Sequence, residues 1–100
     1  MRELDETAVR RASNVVVDSR GTAQNECGDL LPLVKKGLLH WETLPELGEI
    51  IVGRIPGRTS PEAITLYESH GMALQDIYVG AAVLALAREQ GVGIDLPIGD

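Results

Sequence analysis

The segment NVVVDS, residues 14–19, decides how the rest of this sequence folds. Its three consecutive valines are β-branched, and a run of such residues favours a short strand. A strand that is apolar on both faces is typical of a parallel sheet, in which helices cover both sides. The segment therefore predicts a short, buried, parallel strand that ends near Asp18.

The residues around this strand predict helices. Apolar residues recur at helical spacing over Glu3–Ala12, which predicts an amphipathic helix before the strand. One or two helical turns are expected after it, ending near Gly37. Further on, Thr43 and Glu46 have the spacing of a capping box, and the helix that they begin is expected to end at Gly53.

The last part of the chain predicts a second strand and a long helix. A turn at Ser60–Glu62 leads into the strand, Ile64–Tyr67. The helix runs from about Met72 to Glu89 and is apolar nearly all round within Ile77–Ala87. A helix of this kind is expected to be buried, and Gly80 within it is expected to mark a close packing contact.

The order of these elements predicts the fold class. Helix, strand, helical pieces, strand and long helix indicate an α/β fold in which two parallel strands are joined by a helical crossover. Two strands are too few for a free-standing parallel sheet, which needs more neighbours and cover on both faces. We therefore expect these residues to form part of a larger domain and to be incomplete as a free-standing one.

Composition excludes several classes of function. The 100 residues carry a net charge of −6, which argues against a nucleic-acid or anionic-membrane surface. The longest apolar run, Ile77–Ala87, is shorter than the ~20 residues that cross a bilayer. Cys27 is the single cysteine, so no intrachain disulfide can form. With no secretory signal at the N-terminus, we expect a soluble chain in the reducing cytoplasm.

Spacing assigns no catalytic or metal-binding residue. Cys27 with His40 or His70 could form a thiolate–imidazole pair, but nothing in the sequence brings them together, and a lone cysteine is commonly a small buried hydrophobe. The two histidines are too far apart for a metal site. Ser69 does not lie in a nucleophile elbow, and the chain has no G-x-G-x-x-G.

Two acidic positions leave alternatives open. Asp18 follows the first strand, where α/β sheets present polar groups at strand ends, yet it could equally cap the next helical segment. Glu26 and Asp29 are three residues apart and could share one helix face. We expect them to be a solvated pair.

Three segments, in this order, resemble the C-terminal part of the ornithine cyclodeaminase/mu-crystallin family. Residues 2–30 contain the run V-D-S-x-x-x-A-x-x-E-x-G-D-L, residues 44–58 contain L-G-E-(I/V)-(I/L)-x-G, and residues 64–76 contain T-x-(F/Y)-x-S-x-G-x-A-x-(E/Q)-D. The positions that carry these motifs are Val17, Asp18, Ser19, Ala23, Glu26, Gly28, Asp29, Leu30, Leu47, Gly48, Glu49, Ile50, Ile51, Gly53, Thr65, Tyr67, Ser69, Gly71, Ala73, Gln75 and Asp76.

The resemblance implies an NAD(P)-dependent enzyme that acts on amino acids or cyclic imines by hydride transfer through an imine. Residues 1–70 would form the C-terminal half of a Rossmann-like domain, and residues 71–100 a helix returning to a dimerisation platform. Ser69 would lie by the nicotinamide end of the cofactor. The backbone N–H of His70 would lie near the substrate.

The chain departs from the family in two respects. The family's phosphate-binding glycine loop, substrate-binding Arg and Lys residues and catalytic Asp would lie upstream of Met1, and the position of His70 is usually Val, Leu or Ile. We therefore expect no activity and no tight binding of NAD or NADP by this chain alone. A second copy or a companion chain is expected as its partner.

Two other functions are weighed against this one. The alternative is a stand-alone interaction module without catalysis, which self-associates through Ile77–Ala87. A third hypothesis is a small thiol hydrolase that uses Cys27 as its nucleophile.

Overall fold

The computed structural model describes residues 2–98, which form five α-helices, one 3-10 turn and two β-strands. In chain order these are α1 Glu6–Arg11, β1 Asn14–Val17, α2 Arg20–Glu26, α3 Leu31–Lys35, the 3-10 turn Trp41–Thr43, α4 Leu47–Ile51, β2 Thr65–Glu68 and α5 Ala73–Gln90. The described residues divide into two compact units between His70 and Gly71. The predicted mixture of helices and two strands is confirmed.

The two strands pair in parallel, as the valine run predicted. Val15 lies opposite Leu66, and Val17 lies opposite Glu68. The segment between the strands contains α2, α3 and α4, so the connection is a helical crossover. On the other edge of β1, the Val17 N–H donates to the carbonyl of Pro45 at 3.0 Å. The end of β1 is therefore held from both edges.

The core of the first unit is a cluster of aliphatic side chains around β1. All three valines of the strand are buried, and Val17 is fully inaccessible. None of the aromatic residues that the structure describes belongs to the cluster, and the partly buried Trp41 packs against it. Its members are Val9, Val15, Val17, Ala23, Cys27, Leu30, Leu33 and Leu44. The position of Cys27 confirms that it is a small buried residue.

The first two helices begin at side-chain caps. Asp5 accepts the N–H of Ala8 at 2.8 Å, so α1 begins later than the predicted Glu3. Ser19 is the N-cap of α2 and accepts the N–H of Thr22. The N-cap alternative considered for Asp18 is therefore wrong, because the next residue takes that position.

Helix α4 begins at a different capping box from the predicted one. Glu46 is the N-cap, and its N–H donates to the side chain of Glu49 at 3.0 Å. The Thr43 hydroxyl donates instead to the carbonyl of His40 in the 3-10 turn. Gly53 has a φ of 82°, which confirms the predicted glycine after the helix end.

Helix α5 has 18 residues and ends at Gly91, whose φ of 68° is left-handed. The prediction that it is buried is wrong for this chain, since none of its described residues is buried and Ile77 is 66% exposed. Within residues 2–98, no atom beyond the adjacent helix backbone lies within 4 Å of a Cβ placed at Gly80, so the predicted close contact is wrong too. Among the described residues, no helix is long and apolar enough to span a bilayer.

Candidate functional site

Polar residues follow both strands at the same edge of the sheet. Asp18 comes directly after β1, and Ser69 and His70 come directly after β2. Because the strands are parallel, their carboxyl ends lie side by side. This is the edge at which open α/β sheets bind their ligands.

The carboxylate of Asp18 joins the two strand ends. Its side chain is fully inaccessible to solvent. Oδ2 accepts the hydroxyl of Ser69 at 2.9 Å and the backbone N–H of His70 at 3.0 Å, and Oδ1 accepts the N–H of Ser19 at 2.9 Å. A buried carboxylate is tolerable only with such donors, so these hydrogen bonds set the positions of Ser69 and His70.

The two groups predicted to face cofactor and substrate are thus engaged within the chain. Ser69 is exposed as a residue while its hydroxyl donates to Asp18. The backbone N–H of His70 also donates to Asp18. The imidazole of His70 is only 13% exposed. Their roles toward a nicotinamide ring and a substrate stay predictions.

Beside the strand ends lies a polar recess of about 200 Å³. Within it, Asp29 is only 4% exposed, and its Oδ1 accepts the N–H of Glu3 at 2.6 Å and of Leu4 at 3.0 Å. The expectation of a solvated Glu26–Asp29 pair is therefore wrong, because a contact with the N-terminal segment buries Asp29. The residues that line the recess are Glu3, Glu26, Cys27, Asp29, Glu68, Ser69 and His70.

Burial and neighbouring groups shift the pKa values of Asp29, Glu68 and Cys27 in this recess. For Asp29, burial opposes ionisation, but the N–H groups of Leu4 and Glu3 outweigh it and hold its pKa below the ordinary value. For Glu68, burial and then the neighbouring Asp29 carboxylate raise the pKa. Burial also raises the pKa of the Cys27 thiol. A thiol of this kind is a poor nucleophile at neutral pH, which weakens the thiol-hydrolase hypothesis.

The structure brings together Cys27, Glu68 and His70, which are far apart or unrelated in the sequence patterns. Ligand atoms of Cys27, Glu68 and His70 all lie within 4.8 Å of one another. His40, the other histidine considered as a partner of Cys27, is exposed and precedes the 3-10 turn. Glu68 was missed because the strand was predicted to end one residue earlier. Its place at the carboxyl end of β2 is the signal that could have identified it.

The residues in this chain do not fit the pyrophosphate of a dinucleotide. The sequence contains no G-x-G-x-x-G, and α2 begins at the N-cap Ser19 without that glycine pattern. Arg20, the cation at the start of α2, is paired with Glu49 at 2.7 Å and with Glu46 at 3.7 Å. The anion-binding half of a cofactor site is therefore not found among the described residues.

Comparison with known proteins identifies the family. The sequence profile of the ornithine cyclodeaminase/mu-crystallin family matches residues 1–91. The chain belongs to this family. It is 43% identical over 94 residues to Delta(1)-pyrroline-2-carboxylate reductase of Bacillus cereus, and the match covers 93% of this chain and 29% of that protein.

Solved structures of family members have the same fold over these residues. Delta(1)-pyrroline-2-carboxylate reductase of Thermococcus litoralis, in complex with NADH and L-proline, aligns with a TM-score of 0.77 and 36% identity, covering 95% of this chain and 29% of that one. An archaeal alanine dehydrogenase dimer with bound NAD aligns with a TM-score of 0.69 and 33% identity, covering 98% and 30%.

The chain therefore spans less than a third of the length of these relatives. This share is consistent with a match to the C-terminal part of the family, as the three motifs predicted.

Proposed function

We propose that this chain is the C-terminal segment of an NAD(P)-dependent enzyme that acts on amino acids or cyclic imines, as a cyclodeaminase or a reductase. The similarity to pyrroline-2-carboxylate reductases supports a substrate that carries an imine or amine next to a carboxylate. The geometry favours the same function, because the polar groups converge at the sheet edge where a Rossmann domain binds its ligands.

The observation that carries this proposal is the position of the Asp18 carboxylate. It holds the Ser69 hydroxyl and the His70 N–H side by side, at 2.9 and 3.0 Å, at the carboxyl ends of β1 and β2. In the proposed enzyme Ser69 lies by the nicotinamide and the His70 N–H lies by the substrate. Asp18 is a positioning residue, since it acts through these two groups.

The isolated chain is proposed to be inactive and to bind NAD(H) and NADP(H) weakly. Dinucleotide affinity in Rossmann domains depends on the glycine-rich turn and the helix N-terminus that hold the pyrophosphate. The described residues offer no such turn, and Arg20 is already paired with Glu46 and Glu49. The remaining cofactor and substrate groups would come from residues outside this chain.

The proposal is tested by transplanting residues 2–91 of this chain into the Bacillus cereus reductase in place of the matching segment. We expect the chimera to oxidise NADH or NADPH when Delta(1)-pyrroline-2-carboxylate is added. Within it, Ser69→Ala should lower turnover, whereas Ser13→Ala, an exposed serine before β1, should not.

Two results would contradict the proposal. One is a chimera that folds and binds the cofactor like the parent reductase but reduces no imine. The other concerns the isolated chain: if sub-millimolar NADH quenches the fluorescence of Trp41 and raises the melting temperature, the claim of weak binding is wrong.

A second candidate is a self-associating module without catalysis. The observation that favours it is the exposure of large apolar side chains on α5, including Ile77, Tyr78, Val79 and Val83 at 58–71%. Exposed apolar faces of this kind favour association between copies. The two candidates are compatible, because a segment that is inactive by itself can also self-associate.

A further inference from the structure

Three side chains with different metal-binding groups converge in the polar recess. Cys27 is the C-cap of α2, Glu68 is the last residue of β2, and His70 lies two residues beyond Glu68. A sulfur, a carboxylate oxygen and a ring nitrogen from these residues all lie within 4.8 Å of one another. Small movements of the side chains would bring these atoms to the separations of ligands around one ion.

Two of these groups have buried atoms whose hydrogen-bonding capacity is unused. Among the described residues, no group bonds to Oε1 of Glu68 or to Nδ1 of His70, although both atoms are inaccessible to solvent. Cys27 is itself only 5% exposed. Buried polar atoms without partners are rare in native proteins, and a bound ion is one of the explanations for such atoms.

We propose that Cys27, Glu68 and His70 form a binding site for a divalent transition-metal ion of the zinc type. A thiolate and an imidazole select Zn²⁺ or Co²⁺ over Mg²⁺ and Ca²⁺, which prefer oxygen ligands. Metal binding releases the thiol proton of Cys27 to solvent. The resulting thiolate and the Glu68 carboxylate together balance the two positive charges of the ion.

The surroundings of the three residues suit a metal that keeps one open position. Three protein ligands leave the fourth tetrahedral position to water or another small ligand. The recess of about 200 Å³ beside them has room for such a molecule. Oδ1 of Asp18 lies 4.0 Å from the same Nδ1 of His70, which is beyond hydrogen-bonding distance.

The test uses the 100-residue chain, freed of metal with a chelator and then titrated with Co²⁺ alone. We expect one Co²⁺ per chain, a thiolate-to-metal charge-transfer band, and the strong visible absorption of four-coordinate cobalt. Zn²⁺ should abolish both signals by displacement, whereas Mg²⁺ should leave them unchanged. Absence of a thiolate charge-transfer band at saturating Co²⁺ would overturn the proposal.

Matched variants assign the ligands. Each of three substitutions should weaken Co²⁺ binding by about 10–100-fold or more: Cys27→Ala, Glu68→Gln and His70→Asn. Loss of a residue that only hydrogen-bonds to a metal ligand already lowers metal affinity by about 10–100-fold. His40→Asn and Glu62→Gln remove exposed residues of the same types and should bind like the parent chain. Equal weakening by the control variants, or none by the three ligand variants, would refute the assignment.

A further measurement on the parent chain does not depend on whether the variants fold. Zn²⁺ should slow the alkylation of Cys27 and raise the melting temperature, and a chelator should reverse both effects. Unchanged alkylation and melting temperature at saturating Zn²⁺ would count against the site. None of these measurements involves NAD(P) or an imine, so their failure would leave the proposed function unaffected.

Discussion

The carboxylate of Asp18 and the hydroxyl of Ser69 form a hydrogen bond of 2.9 Å between residues 51 positions apart in the sequence. One follows β1 and the other follows β2, so the bond closes the carboxyl edge of the parallel pair. The neighbouring His70 N–H donates to the same Asp18 oxygen at 3.0 Å. Charge-assisted hydrogen bonds of this kind are stronger than neutral ones.

Asp18→Asn should therefore destabilise the chain by about 1.5–3 kcal/mol, because a hydrogen bond to a charged group contributes that much to stability. Asparagine keeps the shape of the side chain but replaces one carboxylate oxygen by a donor. Urea unfolding followed by far-UV circular dichroism measures the difference. Asp95→Asn, at an exposed position, is the control. Equal midpoints for the Asp18 variant and the control would contradict the structural role of Asp18.

Two neighbouring leucines allow a matched test of the core. Leu30 is fully inaccessible, whereas Leu31 is 39% exposed. Leu30→Ala should cost about 2–5 kcal/mol of unfolding free energy, since it removes buried methyl groups and leaves a cavity. Leu31→Ala should cost less than about 1 kcal/mol. Similar losses at the two positions in urea unfolding would show that the core is arranged differently.

The capping box of α4 should make stability depend on pH. The N–H of Glu46 and then the guanidinium of Arg20 hold the pKa of Glu49 below its ordinary value. A carboxylate whose pKa is lowered in the folded state stabilises the protein above its unfolded-state pKa, and this contribution disappears as the pH falls through the folded-state pKa. Glu49→Gln should therefore be destabilising at neutral pH and nearly neutral in acid.

Unfolding curves of the parent chain and of Glu49→Gln, recorded at neutral and at acid pH, measure the difference in unfolding free energy between the two proteins. In an Arg20→Gln background the effect of pH on this difference should be smaller, because one of the two groups that lower the pKa of Glu49 is removed. A difference between the two proteins that grows toward acid pH would have the wrong sign for a lowered pKa.

The thiol of Cys27 should react slowly in the folded chain. It is 5% exposed, and burial raises its pKa, so both access and the thiolate fraction are reduced. Metal-free folded protein should react with iodoacetamide roughly tenfold or more slowly than protein unfolded in urea. Glutathione, followed under both conditions, corrects for effects of urea on the reagent. Equal rates would favour a reactive cysteine and revive the hydrolase hypothesis.

The exposed face of α5 should cause self-association. Replacing Ile77 and Val83 by lysine removes two large apolar side chains and lowers the net negative charge, so electrostatic repulsion cannot explain a loss of association. We expect the parent chain to sediment as a dimer or larger species and the double variant to sediment as a smaller one. Lysines at Gln75 and Gln90 of the same helix make the same charge change and are the control.

A monodisperse monomer of the parent chain would contradict the self-association candidate. It would leave the proposed enzymatic function in place, because that proposal does not depend on self-association of this chain.

Local patterns predicted much of the architecture. Three valines before Asp18 identified β1, and the glycine at position 53 identified the end of α4. Such features depend on neighbours a few residues away, so they can be read without the rest of the fold. The three motifs also identified the family, and the match over residues 1–91 confirms it.

The errors arose where a distant residue decides the outcome. Asp29 was expected to be solvated because the sequence spacing related it only to Glu26. In the structure it accepts hydrogen bonds from the N–H groups of Glu3 and Leu4. The capping box was assigned to Thr43 and Glu46, but the same three-residue spacing recurs at Glu46 and Glu49, and it is Glu49 that the distant Arg20 binds. Periodicity contains no information on such contacts.

The sequence by itself determined the strands, most helices, the family and the small apolar nature of Cys27, because these depend on local composition and on motif order. Only the tertiary structure decided that Asp18 would hold Ser69 and His70, and that Cys27 and Glu68 would meet His70. The physical reason is the parallel register. Pairing Val17 with Glu68 places residues about 50 positions apart at one edge, which no spacing along the chain can indicate.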